Sequence, residues 1–226
     1  LGRIGCTTSH LKVMQMAKHD KIERILIFED DIEFYSGKED TVHDYEQILY
    51  DANKTLQTVK WDLHYLGYYP CPNKGLYSQP SVVGPNIFIG KFLQSAHAIG
   101  YSKRAYNKVL EDLGTSPTSL KWKELGGTID EYLGFVLQNN SKFITTAIAP
   151  ILCYQRPGRS DIQDCEKSYG AAYIKNNIIM LRDKVPDNFI RFPVKEKHGK
   201  FYEMNKNTKW DQISTYKYEK YTTDTF

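Results

Sequence analysis

The sequence predicts an α/β fold, a Rossmann-type mixed sheet flanked by helices, and three observations carry that reading. The run Arg24 to Phe28 is rich in β-branched and aromatic residues and does not alternate, the pattern of a strand buried on both faces of a mostly parallel sheet. Stretches with apolar residues every three or four positions alternate with short strand-like runs along most of the chain, as expected when helices cover a sheet. At 226 residues, the chain is long enough to bury roughly 70% of its unfolded surface without disulfides or a structural metal.

The elements follow in order. Thr7, Thr8 and Ser9 offer capping oxygens before Leu11, Met14 and Met16-Ala17, which predicts a short amphipathic helix ending near Asp20. Arg24 to Phe28 is then a central strand, ending in Glu29-Asp30-Asp31. Val42, Tyr45, Ile48-Leu49, Ala52 and Leu56 give one apolar stripe from Thr41 to about Val59. Trp61 to Leu66 reads as a strand. Tyr68 to Pro85, with four prolines and two glycines among tyrosines, reads as an irregular loop suited to flank a cleft. Ile87 to Ile89 and Ser95 to Tyr101 are strands; Ser102 caps a helix that carries Ala105-Tyr106, Val109-Leu110 and Leu113 and stops at Gly114. Thr128-Ile129-Asp130-Glu131 has capping-box spacing and opens another helix, with Asp130 in its first turn. A strand from Phe143 to Ala149 follows, then the loop Gln155 to Asp161. Residues 1–185 form the expected domain, and the Lys-, Asn- and Tyr-rich residues 186–226 a peripheral extension.

Composition excludes several classes. Thirty basic against twenty-seven acidic residues leave a net charge of +3, too little to argue for nucleic acid. Apolar runs such as Ile25 to Phe28 fall far short of the ~20 residues a membrane span needs, and no signal-peptide pattern opens the chain. Cys6, Cys71, Cys153 and Cys165 are too dispersed for a zinc pattern or a disulfide framework and read as plain thiols. Cys153 and Cys165 are close enough to bridge a loop in an oxidising compartment.

Glu29-Asp30-Asp31 is the strongest chemical signal. Adjacent carboxylates at a strand end repel one another unless a cation sits among them, and hard oxygen ligands imply Mn²⁺ or Mg²⁺. In open α/β sheets such strand ends also face the ligand. The alternative is a solvated acidic turn.

Gly5-Cys6-Thr7-Thr8-Ser9-His10-Leu11, followed by a helix and Ile25-Leu26-Ile27-Phe28-Glu29-Asp30-Asp31, resembles the Gly-Cys-x-x-Ser-His and Leu-Glu-Asp-Asp pairing of glycosyltransferase family 25, which includes lipooligosaccharide and collagen hydroxylysine galactosyltransferases. The resemblance continues through Trp61 to Gly67, Ala96 to Ser102, Ile129 to Leu133 and Ser160-Asp161, so that its ordered pieces cover roughly residues 1–165.

The resemblance implies a GT-A-like domain that transfers a hexose, galactose by this likeness, from a UDP-sugar to a hydroxyl of a glycan or hydroxylated side chain, with inversion and with a divalent cation. Asp31 is then the first metal ligand and Asp30 the second, while Glu29 contacts the ribose or a nearby amide. Asp130 is the candidate general base, with the helix dipole expected to lower its pKa, and Glu131 a weaker alternative. His97, between alanines in an apolar strand, is either a core histidine or a contact to metal or diphosphate. His10, expected near a helix amino terminus, is either an anion contact or a packing residue. Ser160 and Asp161, with Arg156 and Arg159, are placed to close over the diphosphate.

Family members carry a strand before the Gly-Cys motif that helps hold the nucleotide base, and Leu1 falls just after its place. This leaves either an upstream segment or an incomplete nucleotide pocket. Two rival readings follow: a non-catalytic sugar- or nucleotide-binding relic of the fold, and a metal-dependent phosphohydrolase using the same carboxylates. A bacterial relative would act on the cytoplasmic side and a collagen-modifying one in a secretory lumen.

Overall fold

The computed structural model describes residues 2–34, 44–70, 81–91, 93–114, 128–149, 151–156, 158–160, 165–167, 194–195 and 201–202. It is a mixed α/β structure built on a six-stranded sheet flanked by helices, and it fits a Rossmann-like fold.

The strands run in the order β1 (Arg24–Phe28), β8 (Ala98–Ser102), β3 (Leu63–Tyr65), β9 (Thr145–Ile148), β6 (Ile87–Ile89) and β5 (Ser81–Gly84). Only β3 and β9 pair in parallel; β1–β8, β8–β3, β9–β6 and β6–β5 are antiparallel. The expectation of a mostly parallel sheet with Arg24 to Phe28 at its centre is therefore corrected. Among the described residues β1 stands at one end of the sheet. Ile27 is buried, whereas Leu26 and Phe28 are exposed. Strand residues alternate between faces, so one face of β1 packs and the other does not.

The covering helices explain this. On one face lie α1 (Gly2–His19), α3 (Lys103–Leu113) and α4 (Ile129–Tyr132), the last running on into a π-helical turn at Leu133–Leu137. Leu11, Met14, Ile27, Tyr65, Ile99, Tyr101, Tyr106, Ile129 and Leu133 form their common core. The opposite face is covered by α2 (Tyr45–Thr58), whose Ile48 and Ala52 pack with Leu66, Ile87, Ala98 and Ile148. That helix lies against β5 and β6, away from β1.

Several local expectations also change. Helix α1 begins at Gly2, so Thr7, Thr8 and Ser9 lie within it rather than capping it; Ser9 Oγ instead donates to the Gly5 carbonyl. This moves His10 from a helix terminus to mid-helix. Helix α2 is capped by Asp44, whose side chain accepts from the Gln47 amide, and its Leu49 is exposed instead of joining the apolar stripe. Val42 lies outside the described residues. The stretch 68–85 is not wholly irregular: β4 (Tyr69–Pro70) pairs with β7 (Leu93–Gln94), and β5 forms its end. Residues 71–80 lie outside the described set. The helix after Ser102 is as expected, with Ser102 Oγ accepting from the Ala105 amide and Gly114 ending it at φ 76°. At Thr128 the capping box fails, because its side chain makes no cap hydrogen bond; the turn is closed by backbone alone, from the Tyr132 amide to the Thr128 carbonyl.

Beyond the main sheet, β2 (Ile32–Phe34) pairs with β10 (Cys153–Gln155), and β11 (Gly158–Ser160) with β12 (Cys165–Lys167). The loop expected at Gln155 to Asp161 thus contains strand, although Asp161 itself lies outside the described residues. In 186–226 only the pair β13 (Val194–Lys195) and β14 (Phe201–Tyr202) is described. Cys153 is a buried free thiol, and the side chain of Cys165 lies outside the described set. Among the described residues no helix is long and apolar enough to cross a membrane.

One ion pair, between a buried carboxylate and an exposed guanidinium, ties the sheet to α3. Asp62, just before β3, is 2% exposed and accepts from Arg104 Nε and Nη2, from Ser102 Oγ at 3.1 Å and from the Ile144 amide at 2.9 Å. Burial alone would raise its pKa, but these donors hold the carboxylate below its usual range. His64 is likewise structural: it is buried, its Nδ1 lies 3.0 Å from Thr146 Oγ1, and burial lowers its pKa to about 3.

Candidate functional site

The acidic triplet sits in the tight connection between β1 and β2. Because β8 runs antiparallel to β1, the end of β1 meets the beginning of β8, and the Glu29 amide donates to the His97 carbonyl at 2.8 Å. Pairing of β10 with β2 brings Gln155 opposite Ile32, and the Arg156 amide donates to the Asp31 carbonyl at 2.7 Å. The Tyr154 hydroxyl donates to Glu33 at 2.7 Å and fixes that ladder further. Segments far apart in sequence thus converge on one loop.

The three acids have different surroundings. Glu29 Oε1 accepts from the Cys6 thiol at 3.4 Å and lies 3.0 Å from His10 Nε2. Cys6 and His10 are one helical turn apart on α1, so both point to the same side. Burial would raise the Glu29 pKa, yet the hydrogen bond and charge of His10 and the thiol hydrogen bond hold it below the usual range. Asp31 Oδ2 accepts from Gln155 Nε2 at 3.1 Å, while Asp31 Oδ1 is buried with no hydrogen-bond partner among the described residues. Burial, and then the neighbouring Glu29 charge, raise the Asp31 pKa. Asp30 is exposed, and its carbonyl accepts from Arg156 Nη2 at 3.5 Å.

Asp130 lies in the first turn of α4, which packs against α1. Its charge adds to the burial that raises the pKa of Cys6, Tyr65 and Tyr101. The expected lowering by the helix dipole is overturned: burial dominates and raises the Asp130 pKa. Glu131 is half-buried beside it.

His97 is fully buried, with Nδ1 in a short hydrogen bond to Ser95 Oγ. Its Nε2 and the Cys153 carbonyl both crowd the position that a Cβ on Gly67 would occupy, which requires glycine there. Burial depresses its pKa to about 4 although the Glu29 charge works against this, so the ring is neutral near pH 7. Ser95 holds φ 84°, a strained value for a residue with a side chain, and its Oγ lies 3.4 Å from Gln155 Oε1. That contact turns the Gln155 amide so that its nitrogen faces Asp31 Oδ2 and Glu29 Oε2, the latter at 3.5 Å.

Of the residues expected from sequence, the structure brings together His10, Glu29, Asp31 and His97, while Asp130 lies on the helix that packs against α1. Among the described residues the ligand atoms of Asp30, Asp31 and His97 do not converge within 4.8 Å, whereas those of Cys6, His10 and Glu29 do. Ser160 lies in β11; Asp161 is outside the described set. Gln155 and Ser95 were missed. No local pattern marks them, because their role arises from strand pairing over long separations. Cys6 could have been found, since it stands four residues before His10.

Residues 1–68 match the profile of a family described as glycosyltransferase family 25 (LPS biosynthesis protein). The matched segment runs from α1 past β3 and so contains Cys6, His10 and the whole acidic loop. No curated protein is similar enough to the chain to count as a match.

Proposed function

We propose that this chain is an inverting, divalent-cation-dependent glycosyltransferase of GT-A type that moves a hexose, galactose in this reading, from a UDP-sugar to a hydroxyl of a glycan or hydroxylated side chain. The observation that carries the reading is Asp31 Oδ1, a buried carboxylate oxygen with no partner among the described residues, in an acidic loop within the segment that matches the family. An orphaned oxygen with neighbouring negative charge fits a cation. Asp31, with Asp30 beside it, would hold Mn²⁺ or Mg²⁺. When bound, the cation supplies neutralisation of the charge that develops on the departing diphosphate.

The remaining work falls to the protein. Asp130 accepts the proton of the acceptor hydroxyl as that oxygen bonds to the anomeric carbon and the bond from that carbon to the UDP oxygen breaks. Burial favours this role, because a raised pKa makes a carboxylate a stronger base. Glu131, beside Asp130 in sequence, would serve as an acceptor contact or an alternative base. Gln155 separates and orients the Glu29 and Asp31 carboxylates, and neutral His97 with Ser95 holds Gln155 in place. Arg156, with Ser160 and Asp161 beyond it, lies on the segment that would cover the diphosphate.

The experiment is a donor screen with Mn²⁺, reading UDP release from UDP-galactose with and without glycan acceptors. Acceptor-dependent UDP release supports the reading. Phosphate release from plain nucleotides without any need for the sugar would replace it with a phosphohydrolase, and a chain inert toward all donors would be a binding relic.

A further inference from the structure

We infer that Cys6, His10 and Glu29 form a second cation site, one that takes a borderline divalent metal of the Zn²⁺ type rather than Mn²⁺ or Mg²⁺. The inference stands on this trio alone and does not depend on the transferase reading. Cys6 and His10 present a sulfur and a ring nitrogen from successive turns of α1, and Glu29 meets them from the end of β1. All three ligand atoms lie within 4.8 Å of one another, with Glu29 Oε1 at 3.0 Å from His10 Nε2 and 3.4 Å from Cys6 Sγ. Tetrahedral zinc bonds of about 2.0–2.3 Å set neighbouring ligand atoms about 3.3–3.6 Å apart, so the trio needs little movement to close on an ion.

The chemistry of the set selects the metal. Thiolate with imidazole favours Zn²⁺ over the hard cations that an all-oxygen site would take. A thiolate and a carboxylate together cancel the two charges of the ion, which suits a place where His10 is 3% exposed and Cys6 and Glu29 are half-buried. His10 Nε2 donates to Glu29 Oε1 in the metal-free chain, while Nδ1 has no hydrogen-bond partner among the described residues and so can hold the ring proton when Nε2 turns to an ion. On binding, the Cys6 S–H bond gives its proton to the buffer as the sulfur–metal bond forms, and the His10 ring proton passes from Nε2 to Nδ1, so that Nε2 releases Glu29 and donates its lone pair to the ion. Three protein ligands leave a fourth position open to water or an incoming oxygen, as in sites that do chemistry.

The test uses the whole chain, reduced and metal-free, titrated with Co²⁺ and then Zn²⁺. The expected result is a sulfur-to-cobalt charge-transfer absorption that saturates with one ion and is displaced by Zn²⁺. It should be lost in Cys6→Ser and retained in Asp31→Asn. His10→Asn should weaken Zn²⁺ binding by at least about ten-fold, since even groups behind a ligand contribute that much. Absence of the band in the unmodified chain, or its survival at full strength in Cys6→Ser, overturns the inference. If Cys6→Ser fails to fold by circular dichroism, His10→Asn decides, and unchanged zinc affinity overturns it. Because no substrate is used, failure here leaves sugar transfer to be judged by its own assay.

Discussion

Gln155 Nε2 donates to Asp31 Oδ2 at 3.1 Å, joining residues 124 positions apart and holding an amide between two carboxylates. Removing it should be felt in cation binding. In Gln155→Leu the loss of a hydrogen bond to a charged group, worth about 1.5–3 kcal/mol, raises the Asp31 pKa further. A cation competes with the proton, so Mn²⁺-dependent binding falls as pH drops through the Asp31 pKa. That pKa is already raised by burial and by Glu29, so the fall begins at a higher pH than for an ordinary aspartate. The midpoint should move higher still in Gln155→Leu, as read by calorimetry across a pH series. An unchanged midpoint would remove Gln155 from this role.

Asp130→Asn should leave UDP binding near normal while reducing turnover by at least ~10²-fold, the scale of a general base. Single-turnover sugar transfer measures this directly. Normal turnover would exclude Asp130 as the base and turn attention to Glu131.

Gly67→Ala should destabilise the protein by about 1–3 kcal/mol, the usual cost of overpacking. Its Cβ would collide with His97 Nε2 and the Cys153 carbonyl, and thermal unfolding reports the cost. Displacing His97 also moves the carbonyl that accepts the Glu29 amide, so cation binding should weaken in any fraction that folds.

Asp62→Asn should lower stability by about 2 kcal/mol at pH 7, because hydrogen bonds to a buried carboxylate are replaced by weaker or mismatched ones. The folded-state pKa of Asp62 is lowered, so its contribution is present above the unfolded value near 3.9 and is lost as pH falls through the folded value. Denaturant unfolding should therefore show wild type and variant converging in strong acid. A constant gap at all pH values would mean that the loss is one of shape, not charge.

Local chemistry was legible in the sequence where a single element decides it. The cap at Ser102, the stop at Gly114 and the acidic end of β1 were read from neighbouring residues alone, and the mixed α/β class followed from periodicity. Burial of β1 was misread because an unbroken apolar run looks the same whether or not a helix covers its second face, and α2 lies over β5 and β6 instead. The helix at Gly2 was read too short because Thr7 to Ser9, good caps in isolation, are carried into a helix whose Leu11, Met14 and Ala17 face the core. Of the candidate site, the acidic run Glu29-Asp30-Asp31 after an apolar stretch was visible in the sequence, whereas the contacts of Gln155 with Asp31 and with Ser95 join positions far apart in the chain and leave no local pattern.

The central claim is that the loop at the end of β1 is a cation-dependent donor site, and calorimetric titration of UDP into the 226-residue chain with and without Mn²⁺ tests it most directly. The account predicts binding that requires Mn²⁺ and disappears in Asp31→Asn. No binding under either condition, or binding indifferent to both Mn²⁺ and Asp31→Asn, would contradict it.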